Sequence, residues 1–305
     1  MDEPQHYPFA FSENAALQWV NRQLVKAKPA FHKATFLKPF HQSAEFCGTC
    51  HKVHLPVELN GYKWLRGQNH YDAFRLSGVS GPGITSFYYP PKAQTNCNGC
   101  HMPLEETGPG VNFGADDFAG DGRSLVHNHQ FLGANTGILH LNRDKMPDAD
   151  AAIEAHREFN EGVMRVDLFG LREEGRFDGE LIAPLRPEVP EVLPGSTWLL
   201  ETVIRTVKMG HVFTQGTSDS NEVWLEVTVF DGERELWKSG GMDEFGAVDP
   251  WAHFVNAFVI DRDGNRIDRR NAEDIYIPLY NHQIPPGAAD SIHHRFTVPE
   301  DAVGP

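Results

Sequence analysis

All four cysteines of this chain lie in two short units, Cys47-Gly48-Thr49-Cys50-His51 and Cys97-Asn98-Gly99-Cys100-His101. No other feature restricts the chain as strongly. Thiols at i and i+3 share one helical turn, so the pair can add to the two vinyl groups of a single porphyrin. The histidine directly after the second cysteine is then placed beneath the iron. The spacing reads as attachment of haem c, one haem at each unit. None of the four cysteines is left over for a structural disulfide or a catalytic thiol.

Three rival readings fit less well. A zinc ribbon would use both cysteine pairs but does not require a histidine after each, and the gap between the pairs exceeds the usual ~15–20 residues. A thioredoxin-like redox pair needs a strand leading into the motif, and neither unit has one. Structural disulfides in a secreted protein leave the two histidines unexplained.

With 305 residues, of which 40% are apolar, the chain is long enough for two domains and can bury a core. A net charge of −15 argues against a nucleic-acid partner, which needs a basic face. No stretch approaches the roughly 20 consecutive apolar residues that span a bilayer. The start, Met1-Asp2-Glu3-Pro4, has neither the basic nor the apolar region of a signal peptide. Haem c is attached outside the cytoplasm, so the motifs imply an exported protein, periplasmic or extracellular. The chain is then a mature form or a piece of something larger.

The pattern along the chain predicts an α+β protein with a dihaem, helix- and loop-rich domain over 1–160 and an antiparallel β-sandwich of Ig-like type over 161–305. Residues 12–27 have apolar positions at helical spacing after Ser12, a capping residue. A short helix from Ser43 carries Cys47 and Cys50, another covers 68–77, and a third covers 148–160 after Asp148. Residues 29–42 and 78–91 are rich in breakers, and 105–122 read as an acidic surface loop. Beyond residue 160 the stretches 198–207, 223–229, 253–260, 275–280 and 292–298 are β-prone. Asp231-Gly232 and Asp263-Gly264 supply turn signals between them.

Each haem iron has a sixth position, and what fills it separates an electron carrier from a catalyst. The 16 histidines outnumber the six methionines, so a second imidazole is favoured over a thioether. The candidates are His41, His54, His70, His127, His129, His140 and His211, each of which could equally be an ordinary hydrogen-bonding histidine. Met102 directly follows His101 and cannot reach the same iron.

The segments Phe46-Cys47-Gly48-Thr49-Cys50-His51-Lys52-Val53, Trp64-Leu65-Arg66-Gly67-Gln68-Asn69-His70-Tyr71, Ser86-Phe87-Tyr88-Tyr89-Pro90 and Asn96-Cys97-Asn98-Gly99-Cys100-His101-Met102-Pro103 resemble bacterial multihaem c-type cytochromes. These are related to the tetrahaem cytochrome that accepts electrons from hydroxylamine oxidation. His127-Asn128-His129-Gln130-Phe131 and Gly210-His211-Val212-Phe213 are similar to segments that supply distal histidines in that group. The resemblance extends over most of the chain, the β-rich tail included. It implies two haems c bound by Cys47, Cys50, Cys97 and Cys100, with His51 and His101 as proximal ligands. It favours His70, His129 and His211 as distal ligands, with His41 next. It implies redox partners that are themselves multihaem cytochromes, and membership of a larger complex. Such cytochromes carry four or more haems where this chain has two motifs. It also stops at Pro305 soon after a strand, which implies a fragment whose surplus histidines serve haems attached elsewhere.

Other features carry less. Asp116, Asp117 and Asp121 crowd one loop without the spacing of a calcium-binding loop. Trp64, Phe87, Tyr88 and Tyr89 are expected to pack on the porphyrins. The expected role is electron transfer, with no catalytic residue assigned. The alternatives are reduction of a small nitrogen oxide or peroxide at an open haem, and a structural relay subunit.

Overall fold

The computed structural model describes residues 9, 11–27, 38–53, 56, 58, 68–83, 90–107, 115–118, 120–216, 221–268 and 271–304. His54 and the aromatics Trp64, Phe87, Tyr88 and Tyr89, singled out above, lie outside the described residues. The chain forms two compact units, one of residues 1–50 and 94–160, the other of residues 51–93 and 161–305. Both mix helix with antiparallel strands, and among the described residues no sheet closes on itself.

In the first unit, helix Ala15–Ala27 begins later than a Ser12 cap requires. Asn14 Oδ1 accepts from the Ala16 amide at 2.9 Å, while Ser12 Oγ accepts from the Asn14 amide at 3.2 Å. Asparagine caps as well as serine, and the nearer residue wins. Helix Ala44–Gly48 starts as expected, with Ser43 Oγ accepting from the Phe46 amide at 3.4 Å. Helix Asn98–His101 is introduced by Asn96, whose Oδ1 accepts from the Gly99 amide at 3.0 Å. The expected loop over 105–122 is shorter than predicted, because Leu104–Glu106 pairs with Leu125–His127. Helix Ala149–Asn160 matches its prediction and buries Ala149 and His156. The acidic loop spends its carboxylates locally. Asp117 accepts from the Asp121 and Gly122 amides at 3.0 and 2.9 Å, and Asp121 pairs with Arg123 at 2.7 Å.

The second unit is built on a four-stranded antiparallel sheet in the order Ala289–Thr297, Thr197–Thr206, Met164–Arg172, Leu181–Ile182. Strand Met164–Arg172 was not anticipated. Its pairing shifts register between Leu168 and Gly170, so the period-two pattern of Met164, Val166 and Leu168 changes phase before Leu171. One face of the sheet places Leu171, Trp198, Leu200 and Phe296 against Val227, Val229, Leu236 and Trp237 of the hairpin Val227–Asp231/Arg234–Ser239. A second cluster joins Ile204 and Ile292 to Leu225, Val255 and Ile284.

Two predicted strands are divided. Residues 223–229 split at Glu226, with Trp224–Leu225 pairing with His253–Phe254 while Val227–Asp231 forms the hairpin. Residues 253–260 split after Phe254, and Ala257–Ile260 becomes the centre of a three-stranded sheet with Arg266–Ile267 and Ile277–Asn281. A continuous apolar stretch reads as one strand from sequence, whereas one or two residues of irregular backbone are enough to move the chain between sheets.

Residues 51–93 contribute the pair Lys52–Val53/Gln68–Asn69 and the helix His70–Leu76. Asn69 Oδ1 caps that helix by accepting from the Asp72 amide at 3.1 Å, and Lys52 Nζ lies 2.8 Å from Asp72. Gln215 Nε2 donates to the Asn69 carbonyl at 3.2 Å, and Ser77 Oγ donates to the Gly210 carbonyl at 3.2 Å. These bonds lash the start and the end of the helix to residues 210–215. No described helix is long and apolar enough to cross a membrane.

Candidate functional site

Each cysteine pair is wound on one turn by the backbone. The Cys50 amide donates to the Cys47 carbonyl and the Cys100 amide to the Cys97 carbonyl, both at 3.2 Å, and the His101 amide reaches the Cys97 carbonyl at 3.0 Å. The two motifs also meet. Cys97 donates its thiol hydrogen to Cys47, which lowers the Cys47 thiol to about 7. Donating that bond, and buried beside a developing thiolate, Cys97 is pushed strongly upward. Burial raises Cys100 as well.

Within the second unit the fold gathers three of the predicted ligands. His51 Nδ1 lies 3.4 Å from His70 Nδ1, with ring centroids 5.1 Å apart and nearly perpendicular. The His70 ring is 5.2 Å from that of His211, again edge to face. His51 is held by the turn into the short strand that follows it, and its carbonyl accepts from the Tyr71 amide at 3.2 Å. His70 opens the helix His70–Leu76, and His211 follows Gly210, the residue bonded by Ser77. His211 Nδ1 donates to the Val212 carbonyl at 3.1 Å, because a carbonyl can only accept.

Around the second motif, residues 125–132 run alongside the chain that leaves it. His101 Nδ1 lies 2.5 Å from the Leu132 carbonyl and His127 Nδ1 lies 2.6 Å from the Met102 carbonyl. The Asn128 amide donates to the Pro103 carbonyl at 2.8 Å. Both imidazoles must carry their proton on Nδ1, which leaves the Nε2 lone pair to act as a ligand. This is the usual way a metal-binding histidine is oriented and made more basic. His156 supports the arrangement from behind. Its Nδ1 is 2.7 Å from the Gly133 carbonyl, next to Leu132, and Asn160 donates to the same carbonyl at 2.9 Å. The His101 ring packs on Phe159 at 5.4 Å.

The other predicted ligands have plainer surroundings. His129 packs edge to face on Phe131 at 6.0 Å, and His41 sits 4.9 Å from Phe46, one residue before Cys47. His127 was a candidate without preference. Its link to Met102 depends on the pairing of Leu104 with His127, which no local pattern announces. His156 was missed, since a buried histidine in an amphipathic helix looks like any other polar position.

Among the described residues, no group of three or more His, Cys, Asp or Glu side chains is arranged to hold a bare metal ion. The donor set does fit a covalently held porphyrin. Paired thiols on single turns would supply two thioethers, and an imidazole with Nδ1 occupied would supply the iron ligand. Comparison with known protein families, curated proteins and solved structures finds no match.

Proposed function

We propose that the chain transfers electrons through two haems c, attached at Cys47 and Cys50 and at Cys97 and Cys100. The observation that carries this reading is the second motif, where His101 combines the attachment spacing with an Nδ1 proton committed to the Leu132 carbonyl. A bound haem supplies a one-electron iron couple whose potential follows its ligands and their surroundings. His51 and His101 are the proximal ligands. His70 and His211 are the candidates opposite His51, because the fold brings both into its company. His127 and His129 are the candidates for the other iron, on a segment bonded to the residues after His101. Two imidazoles on each iron give a low-spin carrier rather than an open, reactive haem.

In this reading the cysteine-bearing residues form a dihaem cytochrome region, and residues 161–305 form a β-sandwich. The protein is exported, and its partners are other multihaem cytochromes. The resemblance of the segments around both motifs to that family supports these two points. The test is a pyridine haemochrome assay combined with electron paramagnetic resonance of the oxidised protein. Two haems c per chain with only low-spin signals are expected. A count other than two sinks the attachment scheme, and a high-spin signal that responds to cyanide replaces the carrier with an enzyme.

A further inference from the structure

The four-stranded sheet of the second unit has an edge that its own strands leave open. Strand Met164–Arg172 pairs with Thr197–Thr206 on one side. On the other, Leu181–Ile182 reaches only Leu171 and Arg172, and the Leu185 amide takes the Phe169 carbonyl at 3.1 Å. Continued alongside Met164–Leu168, that neighbour would run through Pro184 and Pro187, which have no amide hydrogen to give. Among the described residues, no strand pairs with Met164–Leu168 on this side.

The register settles what the edge presents. The Val207 amide donates to the Val163 carbonyl at 2.8 Å, and Met164 lies opposite Thr206. Alternation along an antiparallel ladder then turns the backbone groups of Arg165 and Asp167 inward, and those of Met164, Val166 and Leu168 outward. The side chains alternate as well. Val166 and Leu168 stand opposite Ile204 and Thr202, which are 4% and 0% exposed, yet they are themselves 54% and 58% exposed. The core face therefore runs out at this strand. An apolar edge of this kind is a template for another strand.

On the opposite face, Arg165 lies 2.6 Å from Asp167, and Arg205 lies 3.7 Å from the same carboxylate. Arg165 stands directly opposite Arg205, so two like charges share one acid. The run Met164-Arg165-Val166-Asp167-Leu168 reads apolar, basic, apolar, acidic, apolar, a pattern complementary to its own reverse. We propose that this edge pairs antiparallel with the same edge of a second copy of the chain, about a two-fold axis at Val166. Val166 exchanges both backbone bonds with the partner's Val166, and Met164 does so with the partner's Leu168. Arg165 falls opposite the partner's Asp167 in the closer, non-hydrogen-bonded positions, and the exposed apolar side chains of the two copies continue one face. Both edges are used up, so the assembly closes as a dimer.

Sedimentation equilibrium of the full chain over a concentration series tests this, with dithiothreitol present to exclude disulfide-linked species. A monomer–dimer equilibrium is expected. Arg165→Asp and Asp167→Arg each set like charges opposite one another twice per dimer, and each should weaken association by roughly tenfold. Mixing the two single variants should restore it, because their charges complement across the axis. Circular dichroism verifies that the variants keep their fold. Should a charge reversal unfold the chain, Val166→Pro carries the test, since it removes an outward amide without touching a bond to Thr197–Thr206 and should also weaken association. A chain that stays monomeric throughout overturns the proposal and leaves the edge to a foreign strand. So does a dimer that every variant retains in full, or a mixture of the two charge reversals that associates no better than either alone.

Discussion

The two C-x-x-C-H units are nearly the same in sequence and differ sharply in what their histidines meet. His51 faces other imidazoles, with His70 at 3.4 Å between Nδ1 atoms and His211 beyond it. His101 faces backbone, its Nδ1 against the Leu132 carbonyl. A carbonyl fixes the tautomer and raises the basicity of the ring, whereas a neighbouring imidazole shares a proton and offers a second ligand. One local motif is therefore given two different surroundings, which in the proposed reading means two haems of different character. The difference comes from what the fold packs beside each histidine.

The comparison breaks most completely when one attachment site is removed. Replacing both Cys47 and Cys50 by serine should halve the haem content in a pyridine haemochrome assay, leaving a spectrum that belongs to the His101 site alone. The Cys97 and Cys100 double variant should leave the complementary spectrum. If the two single-haem spectra and potentials coincide, the two sites do not differ in character.

The next effect concerns ligands. His70→Ala should convert one haem, the one at His51, from low to high spin, unless His211 takes its place. In that case His70→Ala with His211→Ala is required, and electron paramagnetic resonance counts the change. His129→Ala and His127→Ala should leave that haem untouched. A smaller effect is expected behind His101. His156→Leu removes the side chain that bonds Gly133, and loosening the adjacent Leu132 carbonyl should shift the potential of the second haem alone, by about 40 mV for a hydrogen bond worth about 1 kcal/mol.

The smallest effect lies off both motifs and serves as their control. Burial lowers the pKa of His253, with Asp290 opposing and His282 adding to the shift, and burial with His253 and His293 lowers that of His294. An imidazole whose folded pKa is depressed leaves the unfolded chain binding more protons. Stability is then full above about pH 6.5 and declines as the pH falls through that value. Denaturant midpoints followed by circular dichroism should fall from pH 7.5 to pH 5, and His294→Phe should flatten the slope. A midpoint that rises on acidification reverses the sign.

Much of the local structure was readable in advance. Ser43 caps the helix that carries Cys47, and Asp231-Gly232 turns a hairpin with Gly232 at φ +59°. Strand Met164–Arg172 and the division at Glu226 were not, because a bulge and a change of sheet leave the apolar composition intact while altering its phase. At the candidate site the cysteines and their histidines were legible, and so were His70 and His211 as separate candidates. Their mutual contact was not.

The sequence by itself supplied the whole basis of the proposed attachment, since two thiols and an imidazole within five consecutive residues need only one turn of backbone to act together. Only the tertiary structure decided which partners those histidines keep. His70 meets His211 through Ser77 bonding Gly210 and Gln215 bonding Asn69, and His101 meets Leu132 through the pairing of Leu104 with His127. Such contacts join residues far apart in the chain. They are set by how sheets and helices bury their apolar faces, which no short window of sequence records.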